Sequence, residues 1–307
     1  MAHQPITGLH HVTAISGPPQ ANVDFFSQVA GQRLVKKTVN FDDPGTYHLY
    51  YGDQNASPGT ILTFFPFVDA GPGRAGPGMA SAYAYSVPEA RFDDVMGRFA
   101  EDAIDFEGPT ERFGDPVIVL RDPDGAPVEF ISSKIVGDTD IGGFHSVTLW
   151  ENDVDPTAQL LKDIFGYDEV GHETIGGQER LRFAVPGEAH GTIVDLIRSD
   201  APSIGRQGAG SIHHVAFRAK SDEEQLEWRD RLLKAGHAVT PVIDRQYFNA
   251  IYFREPGGVL FEIATDPPGF ATDEPAETMG RELKLPPQYE PMRDRIEAVL
   301  PELKVQA

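Results

Sequence analysis

Gly59-Thr-Ile-Leu-Thr63-Phe-Phe, Gly125-Ala-Pro-Val-Glu129-Phe-Ile, Gly191-Thr-Ile-Val-Asp195-Leu-Ile and Gly258-Val-Leu-Phe-Glu262-Ile-Ala are four versions of one phrase. Their glycines recur every 66 or 67 residues, at 59, 125, 191 and 258, and each opens an apolar run with a polar side chain in fifth place. An internal period of this size marks a repeat architecture. Asp122-Pro-Asp-Gly125 and Glu255-Pro-Gly-Gly258 precede two of the runs. Proline fixes φ and glycine accepts positive φ, so these are turns. Each phrase therefore reads as the last strand of a repeated unit.

The unit starts also match. Gly8-Leu-His-His11-Val-Thr, Gly143-Phe-His-Ser146-Val-Thr and Ser211-Ile-His-His214-Val-Ala open units one, three and four. The second unit is placed at Ser81-Ala-Tyr-Ala-Tyr-Ser86, a strand-compatible run without the histidine signature. A helical stretch follows each start. The clearest runs from Glu223 to Ala235, with Leu226, Leu232 and Leu233 broadly on one face and Gly236 placed to stop it. Asn22 to Val29 and Asp155 to Phe165 look similar, and Thr46 to Tyr51 and Ala250 to Arg254 read as intervening strands. The expectation is an α+β fold of four β-α-β-β-β units forming two curved mixed sheets. Residues 1–137 hold units one and two, 138–266 units three and four, and 267–307 a tail with one short helix from Pro291 to Leu303. The glycine-rich loop Gly71 to Gly78 links the first two units.

Composition narrows the function. The 307 residues carry 26 Lys plus Arg against 47 Asp plus Glu, a net charge of −21. That balance argues against nucleic acid and against an anionic membrane surface, both of which need clustered cations. No run approaches the ~18 apolar residues of a membrane span. The start MAHQPITGLHHVTAI has no charged segment followed by an apolar one, so a cytoplasmic location is expected. There is no cysteine, which removes thiolate nucleophiles and cysteine-held metals. Any metal must sit on His, Asp or Glu.

Aligning the units gives three columns. His10, His145 and His213 form one, His11, Ser146 and His214 the next, and Thr63, Glu129, Asp195 and Glu262 the third. Side chains alternate along a strand, so adjacent histidines cannot both face one cavity. Only unit four joins a second-column His to a third-column Glu, and His11 supplies the remaining ligand. His11, His214 and Glu262 then form a two-His, one-carboxylate set, which suits non-haem Fe(II) oxygenases and also catalytic zinc. A carboxylate inside Leu260-Phe-Glu262-Ile is costly to bury without a partner, and a cation supplies one. The set requires unit one to face unit four, and hence unit two to face unit three. A second cavity, with Ser146, the Ser81–Ser86 strand and Glu129, lacks a histidine in the ligand column and is expected to be metal-free. Recurrence of His10, His145 and His213 points to a shared structural hydrogen bond, and Glu129 and Asp195 to structural carboxylates.

Four such units in two sheets resemble the vicinal oxygen chelate superfamily, which includes glyoxalase I, bleomycin-resistance proteins and extradiol dioxygenases. At finer grain, Gly8-Leu-His-His-Val-Thr13, Gly31-Gln-Arg-Leu-Val-Lys-Lys37, Tyr47-His-Leu-Tyr50, Gly143-Phe-His145, His213-His214, Arg245-Gln-Tyr-Phe248, Tyr252 and Pro256-Gly-Gly-Val-Leu-Phe-Glu262 resemble the dioxygenases that open hydroquinone rings. The resemblance implies iron ligands at His11, His214 and Glu262, and catalytic or supporting roles for Thr13, His213, Arg245 and Tyr252. It implies Fe(II) as cofactor, with Mn, Zn or Ni as alternatives, and a small aromatic substrate with O2 as partners, and it is compatible with a homo-oligomer. Two rivals share the scaffold: a glyoxalase-type isomerase or lyase with Ni, Co or Zn, and a ligand-sequestering protein without chemistry.

Overall fold

Residues 4–135, 139–187, 190–198 and 204–305 are described by the computed structural model, and the boundary drawn at 137 lies outside them. Unit one comprises β1 (Leu9–Ser16), α1 (Pro19–Asp24), β2 (Arg33–Asn40), β3 (Asp43–Gly52) and β4 (Ile61–Pro66). Unit two comprises β5 (Met79–Pro88), α2 (Phe92–Glu101), β6 (Glu107–Arg112), β7 (Asp115–Arg121) and β8 (Pro127–Ser133). Unit three holds β9 (Phe144–Glu151), α3 (Asp155–Leu160), β10 (Asp168–Ile175), β11 (Gln178–Ala184) and β12 (Ile193–Arg198). Unit four holds β13 (Ser211–Ala219), α4 (Asp222–Lys234), β14 (Ile243–Asp244), β15 (Phe248–Arg254) and β16 (Leu260–Pro268). All four repeats are β-α-β-β-β.

The strands make two eight-stranded sheets, ordered β14-β15-β16-β13-β1-β4-β3-β2 and β10-β11-β12-β9-β5-β8-β7-β6. Units one and four therefore share the first sheet and units two and three the second. Each half of the chain contributes a unit to both sheets. Within a unit the first strand runs parallel to the last, and the two units of a sheet meet antiparallel along β1–β13 and β5–β9. The glycine-rich linkers cross as backbone pairs Pro72–Ala209 and Arg74–Arg206. A Cβ on Gly76 would lie 2.4 Å from the Gly205 nitrogen, so only glycine permits this approach.

The helices bury one face each. Val23 and Phe26, Phe92, Val95 and Phe99, Leu160 and Phe165, and Trp228 and Leu232 join strand residues such as Val12, Tyr85, Phe217 and Phe261 in one core. Helix α4 begins at Ser221, whose hydroxyl accepts from the Glu224 N–H, and ends at Gly236 with φ of +91°. Its buried face is Gln225, Trp228 and Leu232, whereas Leu226 and Leu233 are exposed. The expected leucine face is thus corrected: an aromatic and a glutamine take the inner positions. The two shorter helices continue into turns widened to i→i+5 bonds, Ala30 N–H to Phe25 O and Gly166 N–H to Leu161 O.

Strand alternation sends Phe261 and Ile263 into that core and Glu262 and Ala264 to the other face of the first sheet. There Val35, Tyr50, Tyr247, Phe248 and Ala250 meet Phe270 and Met279 of the tail. Lys36, fully buried, ties the tail down through Asp273 at 2.6 Å and Glu274 at 2.5 Å, with its ammonium 4.6 Å from the centre of the Tyr247 ring. The tail is therefore a cover for the first sheet. Its α-helix, α5 (Arg293–Glu297), is shorter than the expected Pro291–Leu303.

Candidate metal centre

Strand β1 carries His11 and Thr13, β13 carries His214 and β16 carries Glu262, all buried on the tail-covered face. His11 Nε2 lies 3.3 Å from His214 Nε2 and 3.4 Å from Glu262 Oε2, and His214 Nε2 lies 2.8 Å from the same oxygen. Neighbouring ligands on a divalent ion with bonds of about 2.1 Å stand roughly 3 Å apart, so these spacings fit a cation among the three atoms. Among the described residues this is the one group of three or more His, Asp or Glu side chains so arranged.

The outer histidines explain the orientation of the inner ones. His10 Nδ1 lies 2.9 Å from His11 Nδ1, and His213 Nδ1 lies 2.8 Å from His214 Nδ1. Each such bond needs one N–H and one lone pair. If His11 and His214 donate from Nδ1, both Nε2 lone pairs face Glu262 with no hydrogen between them. His10 completes the arrangement by donating to the Thr265 backbone. Burial and the neighbouring His11 push the His10 pKa well down, and burial and His214 bring His213 to about 4, so both outer rings are neutral acceptors. Glu262 is fully buried, so its carboxylate is costly to keep without a partner. Neither Glu262 oxygen receives a hydrogen bond among the described residues. Three potential ligand atoms converge in a buried site, and a cation would satisfy them.

Contact between adjacent side chains arises from bulges. The β1–β13 register skips between Leu9 and His11 and again between Thr13 and Ala14, leaving His10 and His213 as the extra residues. The β5–β9 register skips at Ser81 and His145 in the same way. A bulge thus stands at the first column of all four units, turning its side chain towards the next residue. His145 bonds Ser146 Oγ at 3.1 Å accordingly. His213 does not line the cavity and reaches the site through His214.

The cavity is lined by His11, Thr13, Asn40, Phe41, His48, Tyr50, His214, Arg245, Phe248, Tyr252 and Glu262, with about 30 Å³ of free space. Tyr252 stands opposite Glu262 in the β15–β16 ladder, and burial together with the Glu262 charge pushes its phenol pKa well up. Arg245 Nε contacts the Tyr252 hydroxyl at 3.3 Å, and its Nη1 pairs with Asp42 at 3.1 Å. Asp42 belongs to the β2–β3 turn, so this pair bridges units one and four over the cavity. The residues not foreseen as site members are Asn40, Phe41, His48, Tyr50 and Phe248. His48 and Tyr50 alternate along β3 in Tyr47-His-Leu-Tyr50, and that alternation is the signal that would have placed them on one face. A larger cleft of about 760 Å³, between Tyr47, Phe67, Val68, Arg206 and Val299, has no histidine in its lining. Ligand chemistry, not size, selects the smaller space.

The equivalent face of the second sheet is filled by guanidinium groups. Arg112 pairs bidentately with Glu129 at 2.5 and 2.8 Å, and Arg182 with Asp195 at 2.8 and 2.9 Å. Arg180 bridges Thr148 and Asp195 at 3.0 and 3.1 Å. The ligand column there holds Ser146 and, by register, Ala82. Glu129 and Asp195 are thus held by arginines.

Comparison with known proteins places the chain among glyoxalase-like and ring-cleaving dioxygenase relatives. A family model described as the Glyoxalase/Bleomycin resistance protein/Dioxygenase superfamily matches residues 143–263. The chain is 45% identical over 94% of both chains to a protein of Bacillus subtilis named as a candidate ring-cleaving dioxygenase, MhqO. It is 32% identical over 95% of both chains to the chlorohydroquinone/hydroquinone 1,2-dioxygenase of Sphingobium indicum. A crystal structure of a candidate dioxygenase from Bacillus subtilis matches with a TM-score of 0.92 and 44% identity, covering 99% of both chains. Glyoxalase I from Zea mays matches with a TM-score of 0.63 at 15% identity over 84% of this chain and 92% of its own, a likeness of fold alone.

Proposed function

The chain belongs to the Glyoxalase/Bleomycin resistance protein/Dioxygenase superfamily, on the branch of its ring-cleaving dioxygenase relatives, and from that premise we propose that it opens a hydroquinone-type ring with O2, using Fe(II) held by His11, His214 and Glu262. The observation that carries this reading is the convergence of the His11 and His214 Nε2 atoms and the buried Glu262 carboxylate, 2.8 to 3.4 Å apart, with a second histidine against the Nδ1 of each ligand ring. Held by His11, His214 and Glu262, the metal would supply Lewis acidity and redox chemistry to an ionised ring oxygen and O2. The protein's own groups do the rest.

His10 and His213 stand against the Nδ1 of the two ligand histidines, and donation from those Nδ1 atoms would keep both Nε2 lone pairs free for a metal. Phe248 stands 5.1 Å from the His11 ring and gives the cavity an apolar wall on which a ring can rest. A hydroquinone places one oxygen at the ligand set and leaves the other at the far side. Arg245, charged and partly shielded by Tyr252, is the cation available to hold that distal oxygen. Tyr252 keeps its proton, because burial and Glu262 oppose its ionisation, and so acts as a donor.

The test is metal analysis followed by an oxygen electrode. Purified protein should carry about one transition metal per chain, and the Fe(II)-loaded form should take up oxygen on addition of methylhydroquinone. Tight binding of hydroquinones and catechols without oxygen uptake would instead support an isomerase or a sequestering protein.

A further inference from the structure

A row of hydrogen bonds runs along the unit-one wall of the cavity, and the ligand set uses none of it. Thr13 Oγ1 lies 2.9 Å from Thr63 Oγ1, Thr63 Oγ1 2.8 Å from His48 Nε2, and His48 Nδ1 2.8 Å from the Tyr50 hydroxyl. The residues come from three adjacent strands, with Thr13 opposite Thr63 and Thr63 opposite Tyr50 in the ladders. Thr13, His48 and Tyr50 line the cavity, whereas Thr63 sits behind it. In unit four the equivalent ladder positions are Ala216, Glu262 and Tyr252. Unit one therefore has a threonine where unit four has its carboxylate, and a histidine joins that threonine to the neighbouring tyrosine.

Counting hydrogens shows what the row can do. Its three hydroxyls and one neutral imidazole carry one hydrogen each, and the three bonds consume three of the four. If His48 carries its hydrogen on Nε2, it donates to Thr63, Thr63 to Thr13, and Tyr50 to Nδ1. The Thr13 hydroxyl is then the donor left for the cavity. If the hydrogen is on Nδ1, every bond reverses and the Tyr50 hydroxyl is left instead. The His48 ring lies between Tyr50, at 4.0 Å, and Phe65, at 4.3 Å, which opposes a ring flip. Exchange between the two states therefore proceeds by proton movement along the row. Burial and the nearby His11, His214 and Arg245 push the His48 pKa well down, so the ring stays neutral in both.

We propose that His48 is a tautomeric relay that moves a proton between the Thr13 and Tyr50 ends of the cavity. A proton released as a ligand hydroxyl ionises beside His11 enters at Thr13. The Thr13 hydrogen passes to Thr63, that of Thr63 to His48 Nε2, and that of His48 Nδ1 to Tyr50. Tyr50 gives its own to a water or ligand oxygen facing it. One proton enters, one leaves, three hydrogen bonds reverse and the row stays uncharged. The reverse transfer resets it. His48 acts through Thr13 and Tyr50 and is in that sense a positioning residue.

The relay rests on the ring-opening reading for the identity of the ionising hydroxyl, and two independent measurements separate them. The first uses metal-free protein labelled with ¹⁵N-histidine. The His48 nitrogens should show shifts between those of the pure tautomers, and these should move apart in Tyr50→Phe. One fixed tautomer, the same in wild type and Tyr50→Phe, overturns the relay. The second uses Fe(II)-loaded His48→Phe, Tyr50→Phe and the double variant on methylhydroquinone. Each single change should lower kcat by about 10²-fold, the lower range for losing proton transfer, with metal content kept and KM within a few-fold. The double variant should be no slower than the slower single one. Unchanged kcat in either single variant, or losses that multiply, overturns the relay. A wild type that takes up no oxygen fails the ring-opening reading, and the nitrogen shifts then decide the relay alone.

Discussion

At the residue scale, the same side-chain type has opposite duties in the two sheets. Glu262 faces two imidazole nitrogens, whereas Glu129 faces a guanidinium fork. His214→Ala should therefore remove most of the bound metal and leave the circular dichroism spectrum unchanged, since a central strand accommodates alanine. Glu262→Gln should also weaken metal binding, because the anionic ligand is lost with its shape kept. Glu129→Gln should leave metal content alone and cost about 1–3 kcal/mol of stability, the scale of a broken charged hydrogen bond. Metal loss in Glu129→Gln, read by elemental analysis, would refute the division of labour. Arg245→Leu should lower kcat/KM for methylhydroquinone by about 10²-fold, equivalent to ~2–3 kcal/mol. The loss on 3-methylcatechol should be smaller, because two vicinal oxygens fix that ring by chelation; equal losses would show that Arg245 does not discriminate. The triad was legible in sequence because the repeat aligns His11 with His214 and leaves Glu262 beside them. His48 was not, because it belongs to no column of the repeat and its bonds to Thr63 and Tyr50 follow from the β3–β4 register.

At the element scale, periodicity located the strands and helices but misjudged which faces they bury. Helix α4 spans nearly the expected residues, yet Trp228 and Gln225 occupy the inner face that Leu226 and Leu233 were expected to share with Leu232. The Gln225 amide explains its burial by donating to the Asn249 and Ile263 carbonyls at 2.7 and 2.8 Å. Leu232→Ala should thus cost about 2–5 kcal/mol, the range for deleting a buried leucine side chain. Leu226→Ala should stay within roughly 0.5 kcal/mol of wild type. Ser221→Ala should cost about 1 kcal/mol through the lost cap. Urea unfolding of the three variants checks the order, and a Leu226→Ala loss as large as that of Leu232→Ala would restore the leucine face. The bulges at His10, Ser81, His145 and His213 leave no mark in composition or period, since any residue can occupy the extra position. Alternation alone therefore set His213 apart from His214, where the bulge brings their rings together.

At the scale of the whole molecule, the pairing of units was legible because one ligand set required units one and four in one sheet. The tail's role was not, because Lys36 meets Asp273 and Glu274 across more than two hundred residues of chain. The contact between the two sheets adds a dependence on pH. Glu151, at the end of β9 in the second sheet, is fully buried beside Glu255 of the β15–β16 turn in the first. Glu255 accepts from Thr157 Oγ1 and from the Gly257 and Val259 N–H groups at 2.5, 2.7 and 2.6 Å. Neither oxygen of Glu151 has a hydrogen-bond partner among the described residues. Burial first, then the Glu255 charge with a smaller push from Asp153, raises the Glu151 pKa to about 8, against an ordinary 4.5. Between those two values the unfolded chain has released this proton and the folded chain still holds it. The stabilisation linked to it is fully present below about pH 4.5 and is lost as pH rises through about 8. The slope for this one group is at most about 1.4 kcal/mol per pH unit. Glu151→Gln keeps the shape of the protonated side chain and removes the titration. Chemical denaturation of wild type from pH 5 to 9 should show declining stability, and the decline should be shallower in Glu151→Gln, with the variant more stable than wild type at pH 9. Parallel curves for the two proteins would place the titrating group elsewhere, with Asp122, whose pKa is raised by burial to about 6, the next to test in the same way.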